Sequence, residues 1–176
     1  MAKTTQLHLL AEYLKEQGCT VLTTREPGGT AIGDQVRDIL LAPQYSEMRP
    51  LTEVLVFSAS RAQLVGQVIR FHLERGGVVL CDRYADSTFA YQGSGHGVDL
   101  ALLRQITALV TVALVPDLTL YLDLPVEQGL QRRLHSCRRQ LPLWEEYDRL
   151  DTQLLEFHRR VRQGIWSWLR PSHSGG

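Results

Sequence analysis

Apolar side chains recur along this chain in two different patterns. In five long segments they are spaced three or four residues apart, which predicts amphipathic helices over residues 4–17, 52–75, 99–111, 126–140 and about 148–169. Three short runs rich in apolar and β-branched residues, CTVLTT (19–24), VVLC (78–81) and DLTLYLDL (117–124), predict strands. Because helices lie between the strands, the pattern predicts an α/β fold with a parallel sheet covered by helices on both faces.

The polar segments that follow the first two predicted strands are the expected place of a functional site. Ligands of open α/β sheets bind beyond the carboxyl ends of the strands. The segment TREPGGT (24–30) follows the first strand, and DRYADSTFAYQG (82–93) follows the second. We therefore expect these two segments to be loops that contribute functional residues.

Composition excludes several classes of protein. The 19 basic and 19 acidic residues cancel, so overall charge indicates neither a nucleic-acid nor a membrane partner. The three cysteines are scattered, without the spacing of a disulfide framework or a metal site. No apolar run approaches the roughly 20 residues that span a bilayer, and there is no signal-peptide pattern. We expect one cytoplasmic domain over residues 1–170 and a disordered tail over 171–176.

The first six residues, MAKTTQ, are similar to the end of a phosphate-binding loop. In the motif G-x-x-x-x-G-K-[ST] the Lys reaches the terminal phosphates and the hydroxyl holds Mg²⁺. Lys3 and Thr4 would be the last two positions of such a motif. The pair alone is a weak signal, because a Lys-Thr at a helix start is usually solvent exposed beside an N-cap.

Two further groups combine charge with a favourable place in the predicted fold. Asp82 follows the apolar VVLC run, where a carboxylate can hold Mg²⁺ or orient a hydroxyl. The adjacent Arg83 can bind a phosphate through two hydrogen bonds, although a structural ion pair is the alternative.

Phe57 and Arg61 are four residues apart and share a helix face. Phe57 alone is typical of a core, but beside an Arg it can stack on a flat heterocycle.

Together these segments resemble the bacterial-type thymidylate kinase (dTMP kinase) family. TREPGGT, FSASRAQ, CDRYADSTFAYQG, PDLTLYLDLP and DRLDTQLLEFHRRVRQG are similar to the signature blocks of that family, in its order and at its spacing. The likeness runs from Lys3 to about Trp168 and implies a P-loop nucleoside-monophosphate kinase fold. It also implies that the first, central strand, the glycine loop and the last strand are missing, so we expect the kinase activity of this chain to be impaired.

The resemblance implies transfer of the γ-phosphate of ATP to dTMP, giving dTDP and ADP for dTTP biosynthesis. Lys3, Thr4 and Thr5 would bind the ATP phosphates. Thr4 and Asp82 would hold Mg²⁺, and Lys3 and Asp82 would take part in catalysis.

The resemblance also implies a dTMP site built from residues of several segments. Its members would be Glu26, Arg37, Phe57, Arg61, Arg83, Thr88, Tyr91 and Gln92. Phe57 would stack on thymine while Arg61 and Gln92 bond the thymine edge, since an amide offers both a donor and an acceptor. Arg83 would bind the phosphate with Arg37, and Tyr91 would occupy the place of a ribose 2′-hydroxyl.

The arginine-rich stretch RRLHSCRRQ (132–140) begins a predicted lid over about residues 133–148. Such a run is often only a solvated helix face. In the bacterial form of the family, however, the lid supplies the arginine that stabilises the transition state, and the candidates are Arg138, Arg139 and Arg149. The family is usually dimeric, so we also expect a homodimer, with the helix at 52–75 as its contact face.

Two alternatives remain open from the sequence. One is an enzyme of the same architecture that acts on a different nucleoside monophosphate. The other is a non-catalytic relic or fragment that binds a nucleoside monophosphate without transferring phosphate, and the absent glycine loop is the only feature in its favour.

Overall fold

The computed structural model describes residues 2–132, 153 and 155–169 of the chain. The predicted lid at 133–148, the tail at 171–176, and Arg138, Arg139 and Arg149 lie outside these residues. Among the described residues, no helix is long and apolar enough to cross a membrane.

Helices alternate with two strands in the first half of the chain. The order is α1 (Ala2–Glu16), β1 (Val21–Arg25), α2 (Ala31–Leu41), a 3₁₀ turn (Pro43–Tyr45), α3 (Pro50–Leu64), a π-helical turn (Val65–Ile69), α4 (Arg70–Leu73) and β2 (Val78–Asp82). The second half contains α5 (Ala85–Thr88), a π-helical segment (Phe89–Gly95), α6 (Leu100–Thr111), α7 (residues 126–132 of a helix) and α8 (Leu155–Leu169). The predicted α/β organisation is therefore present, with more helix than the sequence indicated.

The two strands pair in parallel, from Val21 opposite Val78 to Arg25 opposite Asp82. Both therefore end at the same edge of the sheet, as the sequence predicted. Beyond the last pair, the backbone N–H of Glu26 donates to the carbonyl oxygen of Asp82 at 3.0 Å. This bond fixes the start of the TREPGGT loop beside the start of the segment after β2.

The predicted strand at 117–124 is wrong for this structure. The segment forms no strand, and the side chains of Leu118, Leu120 and Leu122 are 74%, 68% and 54% exposed. An extended segment becomes a strand only when a neighbouring strand pairs with its N–H and C=O groups. Within the described residues, β1 and β2 pair only with each other.

The predicted loop at 82–93 is also wrong, because most of it is helical. After Asp82 and Arg83 the chain forms α5 and then the π-helical segment Phe89–Gly95. Helix α8, which is remote in sequence, packs on that segment: Phe157 and Val161 form a buried cluster with Ala90. A Cβ at Gly95 would lie 2.5 Å from the Phe157 ring, so glycine is needed for this close approach. Tertiary packing thus stabilises a wide helical turn that has no local hydrophobic periodicity.

Two glycines close the loop after β1. Gly28 and Gly29 have φ values of 118° and 80°, in the region that favours glycine. Their N–H groups donate to Ser60 Oγ of α3 at 3.0 Å and to Asp34 Oδ1 of α2 at 3.2 Å. A Cβ on Gly28 would stand only 2.6 Å from Asp34 Oδ1. The PGG sequence therefore lets the loop backbone lie against both helices.

The sequence reading missed helix α2, which begins directly after this loop. Thr30 is its N-cap: the side-chain oxygen accepts a hydrogen bond from the Gly33 N–H at 2.9 Å. Its local signals are the Thr at the N-cap, an acidic residue in the first turn, Asp34, and apolar residues at helical spacing, Ile32, Val36 and Leu40. The cap is buried and joins the loop to the helix.

Removing this cap should destabilise the fold. We expect Thr30→Ala to lower the free energy of unfolding by about 1 kcal/mol, since one buried helix N–H loses its acceptor. Urea unfolding followed by circular dichroism measures the change. Thr52→Ala, at an exposed position of α3, is the matched control and should leave the midpoint nearly unchanged. Equal midpoints for both variants would contradict the capping role.

Candidate active site

One cavity brings together all eight residues predicted to bind the monophosphate. It lies beside the carboxyl end of the two-stranded sheet, between α2, α3, α5 and the π-helical segment after α5. Its lining comprises Glu26, Arg37, Phe57, Arg61, Arg83, Thr88, Tyr91 and Gln92, with Pro27, Leu41, Tyr84, Ser87 and His158 in addition. Residues from five separate segments of the chain thus meet at one place.

A buried ion pair forms the inner wall of this cavity. Arg61 Nε lies 2.5 Å from Glu26 Oε1, and both side chains are at most 2% exposed. Arg61 Nη2 donates to Thr88 Oγ1 at 2.8 Å. Its Nη1 is buried and has no hydrogen-bond partner among the described residues. Since a buried donor without an acceptor is costly, Nη1 is suited to a hydrogen bond with a ligand in the cavity.

The environment of Glu26 raises the pKa of its carboxyl group from the ordinary value of 4.5 to about 7. Burial is the main cause, because it disfavours the charged form. The Arg61 guanidinium acts in the opposite direction but does not compensate fully. The carboxyl therefore changes protonation state close to neutral pH.

Two more arginines, Arg83 and Arg37, line the outer part of the cavity. Arg83 follows β2 with φ 70°, a left-handed conformation that is uncommon for a residue other than glycine. Its guanidinium donates to Tyr91 Oη at 3.3 Å and lies 5.2 Å from the centre of the Tyr91 ring. Arg37 Nη1 donates to the carbonyl oxygen of Pro27 at 3.0 Å. Two guanidinium groups at one end of a cavity are well suited to an anionic group such as a phosphate.

The residues predicted to bind the ATP phosphates lie in the first turn of α1 and, like Asp82, do not line the cavity. Lys3 Nζ lies 2.5 Å from Asp82 Oδ1, and the two side chains are 47% and 22% exposed. Thr4 and Thr5 are exposed in the same first turn. Lys3 and Asp82, both of which we predicted to take part in catalysis, are in contact, and Arg83, next to Asp82, lines the cavity.

Asp82 and Thr4, the predicted magnesium ligands, are too few to bind Mg²⁺ without additional ligands from a substrate. In the described part of the chain, no group of three or more His, Cys, Asp or Glu side chains could hold a metal ion. Mg²⁺ is usually bound by one or two carboxylates together with substrate phosphates and water. Asp82 and the Thr4 hydroxyl are compatible with that arrangement.

His158 is the cavity residue that the sequence reading most clearly missed. It comes from α8, near the end of the chain, and reaches the cavity only because Phe157 and Val161 pack on the π-helical segment. It lies inside the DRLDTQLLEFHRRVRQG block, but nothing in that block distinguishes it from the other polar residues of the helix. Tyr84 and Ser87, by contrast, lie inside the DRYADSTFAYQG block and could have been included.

Comparison with known proteins decides the family. The family model for thymidylate kinase matches residues 2–172. The chain belongs to the thymidylate kinase family. The match confirms the resemblance drawn from the sequence blocks and the class of enzyme, a nucleoside-monophosphate kinase.

Individual relatives agree with this assignment. The thymidylate kinase of Roseiflexus castenholzii is 56% identical over 167 residues, which cover 92% of this chain and 73% of the relative. That of Deinococcus radiodurans is 56% identical over 163 residues, covering 93% and 75%. The crystal structure of thymidylate kinase from Ehrlichia chaffeensis superposes with a TM-score of 0.71 at 34% identity, over 94% of this chain and 78% of that one. The P-loop nucleoside-monophosphate kinase fold is therefore confirmed.

The raised pKa of Glu26 makes a prediction about stability and pH. The folded state binds the Glu26 proton more tightly than the unfolded state, so protonation of Glu26 stabilises the fold. This stabilisation is fully present below about pH 4.5 and is lost as the pH rises through about 7. Between pH 5 and 8 we expect the unfolding free energy of the unchanged chain to fall by roughly 1–3 kcal/mol because of Glu26. In Glu26→Gln this fall should be absent. Denaturant unfolding at several pH values measures it.

The control for this experiment is Glu16→Gln, which changes an exposed carboxyl at the end of α1. Its pH profile should follow that of the unchanged chain. A Glu26→Gln profile that runs parallel to the other two would show that Glu26 titrates with its ordinary pKa.

Proposed function

We propose that this chain binds dTMP in the described cavity and transfers to it the γ-phosphate of ATP, giving dTDP and ADP. The observation that carries the proposal is the convergence of eight residues from four segments, among them the buried Arg61, whose Nη1 has no hydrogen-bond partner among the described residues. Membership of the thymidylate kinase family supports the reaction. Neither the cavity nor the family match favours a different monophosphate or a non-catalytic relic.

Within the cavity, the residues divide into a base end and a phosphate end. Phe57 stacks on thymine, and Arg61 and Gln92 hydrogen-bond its edge. The Tyr91 ring fills the space next to C2′ of the sugar and so favours deoxyribose. Arg83, held against Tyr91, binds the monophosphate. The remaining members, Glu26, Arg37 and Thr88, hold these groups or contact the phosphate and sugar.

Phosphoryl transfer depends on positioning and on neutralisation of charge rather than on covalent chemistry. Lys3, Thr4 and Thr5 bind the phosphates of ATP; the contact of Lys3 with Asp82, the neighbour of Arg83, supports this assignment. Asp82 and Thr4 hold Mg²⁺, which when bound neutralises phosphate charge. One arginine stabilises the transferred group, and the candidates are Arg138, Arg139 and Arg149.

Three further properties complete the proposal. The enzyme works as a homodimer in the cytoplasm, and α3 with α4 forms the contact face. Leu51, Leu55 and Phe71 are at least half exposed on these helices, which supports this choice.

Substrate selection gives the first test. We expect dTMP and dUMP to bind and dCMP to bind far more weakly, because the amino group of cytosine meets donors where thymine offers a carbonyl. Each buried polar group left unsatisfied costs about 1–3 kcal/mol. Isothermal titration calorimetry with the three nucleotides measures the difference. Equal affinities for dTMP and dCMP would disprove a pyrimidine site of this kind.

The phosphate end is tested with Arg83→Ala. The variant should lose dTMP affinity by roughly tenfold or more, since a charge-assisted bond contributes about 1.5–3 kcal/mol. Binding of thymidine, which has no phosphate, should hardly change. Arg104→Ala, at an exposed position of α6 outside the cavity, is the matched control. Equal losses for dTMP and thymidine would show that Arg83 only maintains the structure.

A further inference from the structure

A second layer of polar residues lies behind the base end of the cavity. Its centre is Glu53 on α3, which is 0% exposed and does not line the cavity. Glu53, Phe57 and Arg61 are spaced by four residues, so one face of α3 carries all three. The reaction proposed above assigns no role to this buried carboxylate.

The contacts of Glu53 lead directly to the cavity. Gln92 Nε2 donates to Glu53 Oε1 at 2.5 Å, and Gln92 is itself 1% exposed. His96 Nε2 lies 3.6 Å from the same oxygen. The His96 ring packs against Phe157 of α8, with ring centres 4.6 Å apart. Two residues of the segment after β2 thus converge on one carboxylate of α3.

The chemistry of the pair fixes which way the Gln92 amide faces. A side-chain amide has a carbonyl acceptor at one end and an NH₂ donor at the other, and rotation about its last bond exchanges them. A carboxylate only accepts hydrogen bonds. Turning the Gln92 amide over would therefore place its carbonyl oxygen against Glu53 Oε1 and lose a buried hydrogen bond. The carbonyl oxygen Oε1 is held away from the carboxylate instead.

We infer that Glu53 is a positioning residue that sets pyrimidine specificity by locking the Gln92 amide in one orientation. In that orientation the amide presents an acceptor to the N3–H of thymine. Cytosine carries an acceptor at N3 and a donor at N4, so it requires the reversed amide that Glu53 opposes. The inference deepens the proposed function and rests on dTMP binding at Gln92.

The test compares the ratio of dCMP to dTMP dissociation constants in the unchanged chain and in Glu53→Gln. The new side chain can donate as well as accept, so both orientations of Gln92 find a partner. We expect the ratio to fall at least about tenfold, through weaker dTMP and stronger dCMP binding. Glu47→Gln, at an exposed position before α3, should leave the ratio unchanged.

A double-mutant cycle separates orientation from general support of the fold. In a Gln92→Ala background there is no amide to orient, so Glu53→Gln should no longer alter the ratio. Should Glu53→Gln fail to fold, Glu53→Asp keeps a carboxylate but draws it back from Gln92, and a smaller fall in the ratio is expected.

The outcomes for the inference and for the proposed function are distinct. Selective dTMP binding by the unchanged chain, with equal losses for both nucleotides in Glu53→Gln, would leave the proposed function intact and overturn the inference. Equal binding of both nucleotides by the unchanged chain would overturn the pyrimidine site and the inference with it.

Discussion

The buried contact between Glu26 and Arg61 is the interaction on which the rest of the site depends. It joins the loop after β1 to α3, and the bond from Arg61 to Thr88 adds α5 to the same point. Two charges removed from water rarely stabilise a fold by themselves, because desolvation offsets most of their attraction. The placement is better explained by binding: α3 brings to the cavity a guanidinium whose Nη1 has no hydrogen-bond partner among the described residues.

Three backbone features hold the Glu26–Arg61 pair in place. Parallel pairing of β1 with β2 places Glu26 next to Asp82, and Gly28 and Gly29 let the loop lie against α2 and α3. Packing of α8 on the segment after α5 supports the far wall of the cavity. Each of these constraints acts on backbone position, which explains why a site for a small, rigid molecule can be assembled from distant segments.

Sequence reasoning succeeded where residue type and spacing together limit the possibilities. The four-residue spacing of Phe57 and Arg61 placed them on one helix face, and the run before Asp82 placed that carboxylate at a strand end. It failed where structure depends on a remote partner. The segment at 117–124 has the composition of a strand but pairs with no described strand. The segment at 82–93 has the composition of a loop but becomes helical under α8.

The sequence by itself determined the family, the α/β organisation and eight of the thirteen residues that line the cavity, because most of these follow from local motifs at characteristic spacing. Only the tertiary structure decided how those residues act on one another. The raised pKa of Glu26 results from burial between distant parts of the chain, and Glu53 contacts Gln92 although the two are 39 positions apart. Burial and distance arise when the helices pack, so no pattern along the chain could give them.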